Sequence, residues 1–351
     1  MINFDEYKKL GEPDKLEKSE IWKTAIGLQE VDGLQTSEYL HKTAKSNIDG
    51  DLTFRQVHEN LASYYKTSAV RQDIENRTEE ADKVSAKIAE ILSEKAFVMS
   101  PAQYLNIHKR IFEGFKYGGK IRTYNITKDE WVLNGETVYY ASANSIMDTL
   151  KYDFDEEKSF DYRTLNTRQT IYHIADFLSG IWQIHPFGEG NTRATAVFAI
   201  KYLRKFGFDV ENDMFANHSW YFRNALVRAN YTNLAQKIYP DKIYLYNFFE
   251  NLLLKESHSL QNRQMLLCKN NESDQLNCKN DQLNDQLNDQ LNQVLIDIIL
   301  LIKDNPKITM KKLGEQLNVS PKTISRRITQ LKSMKKIERI GSLKTGYWKI
   351  L

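Results

Sequence analysis

Nine consecutive residues constrain this chain more than any others: His185-Pro186-Phe187-Gly188-Glu189-Gly190-Asn191-Thr192-Arg193. Apolar runs of helical character flank them at 171–184 and 194–203. Pro186, Gly188 and Gly190 disfavour one continuous helix through the segment, so it reads as a loop that opens a second helix. Such a loop offers free backbone N–H groups and the positive end of a helix dipole, which together suit a phosphate. The side chains fit the same ligand. His185 can take a proton from an incoming hydroxyl. Glu189 is a hard oxygen ligand for a magnesium ion that bridges phosphates, and Asn191 and Arg193 can bind phosphate oxygens. Phosphoryl or nucleotidyl transfer is the chemistry these groups share. Zinc on His185 and Glu189 would call for an unbroken helix, which the proline and glycines oppose.

The run resembles the active-site motif of the Fic family, His-Pro-Phe-x-(Asp/Glu)-Gly-Asn-Gly-Arg-x-x-Arg, and the resemblance extends over about residues 97–254. Most members of known chemistry move AMP from ATP onto a protein hydroxyl. The resemblance therefore implies ATP as substrate, Mg2+ as cofactor, and a target protein bearing a Ser, Thr or Tyr hydroxyl. It makes His185 the general base, Phe187 the anchor of the loop in the core, and Glu189 the metal ligand. Gly188, Gly190, Asn191, Thr192 and Arg193 then join Phe187 around the nucleotide. Two positions depart from the motif: Thr192 stands at the second glycine and Ala196 at the second arginine. The first adds a Cβ where the backbone approaches the ligand. The second removes a cation from the far end of a triphosphate.

Many Fic proteins also carry a braking helix with the pattern (Ser/Thr)-x-x-x-Glu-(Gly/Asn). Here Asp32-Gly33 stands at its end, with Leu28 at the Ser/Thr position, so Asp32 is the candidate inhibitory residue. Ile74-Glu75-Asn76 is a rival, with Arg71 at the Ser/Thr position. The motif's departures leave two further readings open. One is a Fic core that senses a nucleotide without turnover and regulates transcription; the other is a different pyrophosphate-containing donor.

A length of 351 residues, 41% of them hydrophobic, predicts two or three domains with real cores. The longest apolar run, 294–302, contains a charge and is too short to span a bilayer, so no membrane role is expected. The first residues show neither a basic region nor an apolar signal segment, and Cys268 and Cys278 match no metal spacing, so a cytoplasmic location is expected. The net charge of +3 hides an asymmetry. From 306 to 351 there are twelve Lys and Arg against two Glu, a local charge of +10 that leaves −7 on the rest.

The expected fold is mainly α, a Fic-type helical core with a β-hairpin flap, followed by a winged helix-turn-helix domain. Its parts are a helical, antitoxin-like segment at 1–84, the core at 85–255, a polar linker at 256–292 and the final domain at 293–351. Thr53 and Pro101 mark helix starts. The flap hairpin is expected from Glu130-Trp131-Val132-Leu133 and Thr137-Val138-Tyr139-Tyr140 around Asn134-Gly135. A short edge of this kind can recruit an extended target segment. The aromatic and amide residues at 220–226 and 229–231, Tyr231 among them, either line an adenine pocket or belong to the core. In the linker, Asp-Gln-Leu-Asn begins at Asp274 and recurs at Asp281, Asp285 and Asp289. Leu283, Leu287 and Leu291 could form a homodimer seam, or the repeats could be a solvated spacer.

The last segment resembles the winged helix-turn-helix domains of bacterial regulators. Apolar helices are expected at 294–302 and 308–317, with Thr309 capping the second. A helix from Pro321 keeps Ile324, Ile328 and Leu331 inward and leaves Lys322, Thr323, Ser325 and Arg326 to face DNA. A wing at 337–340 and 346–350 completes it. The +10 charge suits a DNA partner, with salt-dependent binding.

Overall fold

The computed structural model describes residues 15–66, 77–210, 213–267, 293–317, 321–333, 336–341 and 346–351. The rival brake at Ile74-Glu75-Asn76, both cysteines, the Asp-Gln-Leu-Asn repeats with their leucines, and the turn at 318–320 lie outside these residues. The chain divides into two compact units, 1–271 and 272–351.

The larger unit is built of helices: α1 (Lys15–Gly27), α2 (Glu38–Asp49), α3 (Phe54–Tyr64), α4 (Thr78–Ser93), α5 (Pro101–Ile111), α6 (Ile146–Ser159), α7 (Thr167–Ile184), α8 (Asn191–Lys205), α9 (Asp213–Asn217), α10 (Ser219–Asn230) and α11 (Ile243–Leu254). Several starts follow from local chemistry. Thr53 and Gln56 form a reciprocal capping box on α3, and Asn166 and Gln169 form another on α7. Ser100 caps α5, with Pro101 at its first helical position.

α7 and α8 are the centre of this unit. Helices α4, α5, α6, α10 and α11 pack around the pair. Ala194, Ala196, Val197, Phe198, Ala199, Ile200 and Leu203 of α8 are all fully buried, so this helix is apolar on nearly every side and must lie inside. Trp182 and Phe187 close the core beneath the loop that joins the two helices.

Helices from before and after residue 84 share this one core, and α4 passes through that position unbroken. α1 packs on α4 and α9. A 3-10 turn, Leu28–Asp32, follows α1 and ends at Gly33, whose φ of 66° supplies the left-handed C-cap. Ser85 Oγ donates to Ala25 O at 3.2 Å, and Ser219 Oγ donates to Gly27 O at 2.8 Å, so two other helices pin the end of α1. Residues 255–267 also belong here: Leu260 and Met265 are buried, and Leu267 N donates to Val132 O at 2.8 Å.

The flap corrects one expectation. The chain does reverse at Asn134-Gly135, both at positive φ, with Glu130 N donating to Glu136 O at 3.0 Å. Its first arm, however, is the 3-10 turn Trp131–Leu133, and 136–140 forms no paired strand. Val132 and Leu133 are buried together with Val138. A flat ladder would send successive side chains to opposite faces, one of them to solvent, and tertiary burial overrides that preference.

The smaller unit holds α12 (Gln293–Asp304), α13 (Met310–Leu317), α14 (Pro321–Ser333) and an antiparallel pair, β1 (Ile337–Ile340) with β2 (Tyr347–Ile350), in which Ile337 faces Ile350. Its core joins Ile298, Ile302, Ile308, Leu313, Ile324, Ile328, Leu331 and Trp348. Trp348 ties the wing to the loop before α13, its indole N–H donating to Ile308 O at 3.2 Å. Thr309 caps α13 through Lys312 N at 3.2 Å.

Gly27 offers a test of how tightly α1 is seated. A Cβ there would lie 2.3 Å from the Ala216 carbonyl oxygen at the end of α9. Gly27→Ala should cost about 1–3 kcal/mol. The check is a lowered urea midpoint by tryptophan fluorescence, since four of the five tryptophans lie in the larger unit.

Candidate functional site

The site is the loop from His185 to Gly190 and the first turn of α8. His185 is the C-cap of α7 and adopts φ 50°, ψ 59°, the left-handed conformation that glycine takes more readily. Holding a histidine there costs about 1–3 kcal/mol, so the surroundings must enforce it. Arg122 supplies that enforcement. Its guanidinium donates to His185 O at 2.7 Å, Ile184 O at 3.2 Å, Tyr124 O at 2.8 Å and Ala141 O, while its backbone N–H donates to Pro186 O at 2.9 Å. One side chain thus joins the carbonyl end of α7 to both sides of the flap.

The His185 ring is fixed in a defined tautomer. Nδ1 lies 3.2 Å from Trp182 O, and a carbonyl can only accept, so Nδ1 carries the proton. Nε2 is left bare, and it is buried without a hydrogen-bond partner. Burial, then the field of Lys128, holds the imidazolium well below the usual histidine pKa, so the ring is neutral. Tyr140 covers it at 4.2 Å, and its hydroxyl donates to the buried Glu130, itself paired with Arg223 at 2.7 Å.

The loop is shaped from within. Asn191, a predicted phosphate ligand, spends its amide on Phe187: it accepts from Phe187 N at 3.0 Å and donates to Phe187 O at 2.7 Å. Phe187 is fully buried and stacks on His108 at 3.5 Å. His108 donates from Nε2 to Glu189 O at 2.9 Å and accepts at Nδ1 from Gly119 N at 3.1 Å. Gly190 caps α8 at φ 75°, and a Cβ there would strike the Phe112 ring at 2.3 Å. At Gly188 a Cβ would meet the Tyr124 hydroxyl at 2.9 Å. Thr192 fits without strain, because its Oγ1 accepts the Trp182 indole N–H at 2.9 Å. Tyr231 donates to Glu136 at the flap tip, and Asn233 also reaches that carboxylate. Tyr231 therefore secures the flap.

Arg193 is fully buried, its plane 4.7 Å from the Phe112 ring centre. Asp32 lies 2.8 Å and Glu80 3.0 Å from its NH2, and Gln29 accepts from NH1 at 3.0 Å. Glu189 stands farther off at 3.9 Å, one-third exposed. Asp32 thus reaches the first arginine of the loop, and the position of the second, Ala196, is sealed in the core.

Residues 98–203 match the Fic/DOC family model, and 291–338 match a winged helix-turn-helix DNA-binding model. The chain carries a Fic/DOC-family domain. No curated protein matches it. Solved structures similar to it include the BepC protein of Bartonella tribocorum with bound AMPPNP, 18% identical over 51% of this chain and 88% of that one, TM-score 0.38. The N-terminal FIC domain of Bep8 from Bartonella sp. 1-1C is 18% identical over 50% of this chain and 82% of that one, TM-score 0.38. The Fic domain of a Bartonella effector protein from Bartonella sp. AR 15-3 is 17% identical over 52% and 85%, TM-score 0.40. The assignment rests on the family model.

Among the described residues no group of three or more His, Cys, Asp or Glu is arranged to hold a metal. Magnesium is commonly held by one or two carboxylates plus substrate phosphates, and the one-third exposed Glu189, now beside Arg77 and Arg193, is the loop carboxylate that could serve in that mode. No helix of the described residues is long and apolar enough to cross a membrane.

The residues that sequence reasoning missed are Arg122, His108, Gln29 and Glu80. Arg122 lies 63 residues before His185, outside any motif, so nothing local marks it as a partner of the α7 carbonyls. Glu80 sits in the acidic first turn of α4, where a carboxylate ordinarily complements the helix dipole, so nothing local marks it.

The buried imidazole of His108 sets a pH dependence in the Fic domain. Burial pushes its pKa down to about 4. The unfolded chain takes up this proton near pH 6.5 and the native state does not, so stability present above that value falls as pH drops toward 4. His108→Gln should flatten the stability profile between pH 6.5 and 5 by about 1 kcal/mol per pH unit on average. Urea unfolding at several pH values reads this directly.

Proposed function

We propose that the Fic domain transfers AMP from ATP to a Ser, Thr or Tyr hydroxyl of a target protein, that Asp32 restrains it, and that the smaller unit binds DNA. The observation that carries the first part is the bare, buried Nε2 of His185 at the head of a helix-opening loop. Nε2 takes the hydroxyl proton, the oxygen attacks the α-phosphorus, and pyrophosphate departs. The N–H groups opening α8 stabilise the charge that develops on the phosphate. Glu189 would hold magnesium, which neutralises charge on the leaving phosphates. Asn191 keeps the loop in shape, and Arg193 offers its guanidinium to the phosphates once its carboxylates let go.

That last condition supports a restrained enzyme. Arg193 is desolvated and already paired with Asp32 and Glu80. A phosphate can recruit it only by displacing one of them. Asp32 sits on a short turn, so it is the partner that can move with the least rearrangement of the core. Incubation with ATP and Mg2+ followed by intact mass tests the reading. Asp32→Ala should raise self-modification or modification of added protein by about tenfold or more, and adding His185→Ala should abolish it. Absence of an adenylyl increment in every variant, with nucleotide still bound, would favour a sensor without turnover. Another pyrophosphate donor would appear as a different mass increment.

DNA binding is supported by the family match at 291–338, the +10 charge of 306–351, and the placement of Lys322, Thr323, Ser325 and Arg326 on α14. Ser325 is exposed; the side chains of the other three lie outside the described residues. Arg326→Ala should weaken binding, and wild-type affinity should fall steeply from 50 to 200 mM salt, by about 10³ if six phosphates are contacted. A salt titration of fluorescence anisotropy with duplex DNA measures both.

A further inference from the structure

Arg77 stands just before α4 at φ 50°, a left-handed position with no side-chain cap. Its guanidinium folds back on Glu80, with Nε 2.9 Å from Oε2 and NH2 2.6 Å from Oε1. The same Glu80 Oε1 lies 3.0 Å from Arg193 NH2. Glu189 Oε1 then lies 3.7 Å from Arg77 and 3.9 Å from Arg193. The four side chains close a ring of alternating charge: Arg77, Glu80, Arg193, Glu189. Arg193 is sealed, with its Nε buried and unpartnered, whereas Arg77 is 39% exposed. One guanidinium of the ring therefore faces solvent.

A ligand of the Fic domain that reaches Glu189 must deal with both guanidinium groups. Ala196, on the same side of α8 as Arg193, supplies no cation. Among the ion pairs of the described residues, Arg77 and Arg193 are the two cations on Glu189. The cations that weigh most on His185 are instead Lys128, Arg223 and Arg122. Arg77 thus belongs to the Glu189 side of the loop, whereas Arg122 and Arg223 stand with the base that must meet the target hydroxyl.

We propose that Arg77 binds the terminal phosphate of a nucleoside triphosphate, supplying from the start of α4 the cation that α8 lacks at position 196. The inference rests on the nucleotide-transfer reading above. Arg77 exchanges Glu80 for the phosphate, a like-for-like swap of one oxyanion for another on a planar fork. The exchange leaves Glu80 to Arg193 alone. Glu189, freed from Arg77, then turns its carboxylate to the ligand. Exposure of Arg77 makes the swap possible, because no burial of an unpaired cation is required at any stage.

The test uses the full chain carrying Asp32→Ala, so that the restraint on Arg193 does not mask binding. Dissociation constants for ATP and for AMP are measured by calorimetry with Mg2+ present, in that parent and with Arg77→Ala or Arg77→Lys added. The proposal expects Arg77→Ala to weaken ATP by about tenfold or more and AMP by less than about twofold, with Arg77→Lys recovering part of the loss. Equal weakening of ATP and AMP would mean that Arg77 only props the loop, and unchanged or tighter ATP binding would mean that it is no ligand; either result overturns the proposal. A parent that binds ATP while ignoring Arg77 removes this inference and spares the transfer reading. A parent that binds neither nucleotide removes both.

Discussion

A guanidinium with no access to water organises the larger unit. Removing an arginine from solvent costs several kcal/mol unless carboxylates and acceptors meet it, and Arg193 draws its partners from three separate stretches: Gln29 and Asp32, Glu80, and its own loop at Glu189. The turn after α1 and the first turn of α4 must therefore be in place before α8 is electrostatically complete. The N-terminal helices are consequently part of the core, and a cut near residue 84 would leave a buried charge without its partners. The same arrangement makes the proposed phosphate-binding role of Arg193 conditional, since the guanidinium is engaged until something displaces a carboxylate.

Arg122 plays the complementary part on the opposite side of the loop. Helix α7 ends with buried carbonyls that lack helical partners, and a histidine in a left-handed conformation follows. The guanidinium of Arg122 caps these carbonyls and, through Tyr124 and Ala141, holds the flap against them. Geometry of His185 and placement of the flap are thus coupled through a single side chain. Glu136 at the flap tip is tied in turn to Tyr231 and Asn233, and Gln183 donates to Tyr139 O at 3.1 Å. A segment that reads as a free hairpin is anchored at its root, middle and tip, which agrees with its 3-10 geometry and buried Val132 and Leu133.

The two units carry opposite electrostatic characters. The larger one gathers carboxylates around an arginine, while the positive charge of the chain is concentrated in the smaller one. Each has its own apolar cluster, so each satisfies its hydrophobic requirement independently. Lys332 and Arg339 both lie over the Trp348 ring, at 5.3 and 4.7 Å, so part of the basic charge also supports the wing.

Much of this was legible in the chain. Periodicity marked α7, α8 and α14, Thr53, Pro101 and Thr309 marked the starts of α3, α5 and α13, and the ordered motif at 185–193 pointed to the Fic/DOC family whose model matches 98–203. These features are local: a cap, a stripe or a motif is complete within about ten residues. The flap's conformation, the left-handed His185, the clamp of Arg122 and the pairing of Arg193 with Gln29 and Glu80 were beyond reach, because each depends on groups brought together from distant stretches. Sequence alone therefore determined the candidate residues and the starts of helices that carry a local signal. Tertiary structure decided which nitrogen of His185 is free and which carboxylates occupy Arg193, because burial and long-range pairing set protonation and partner choice.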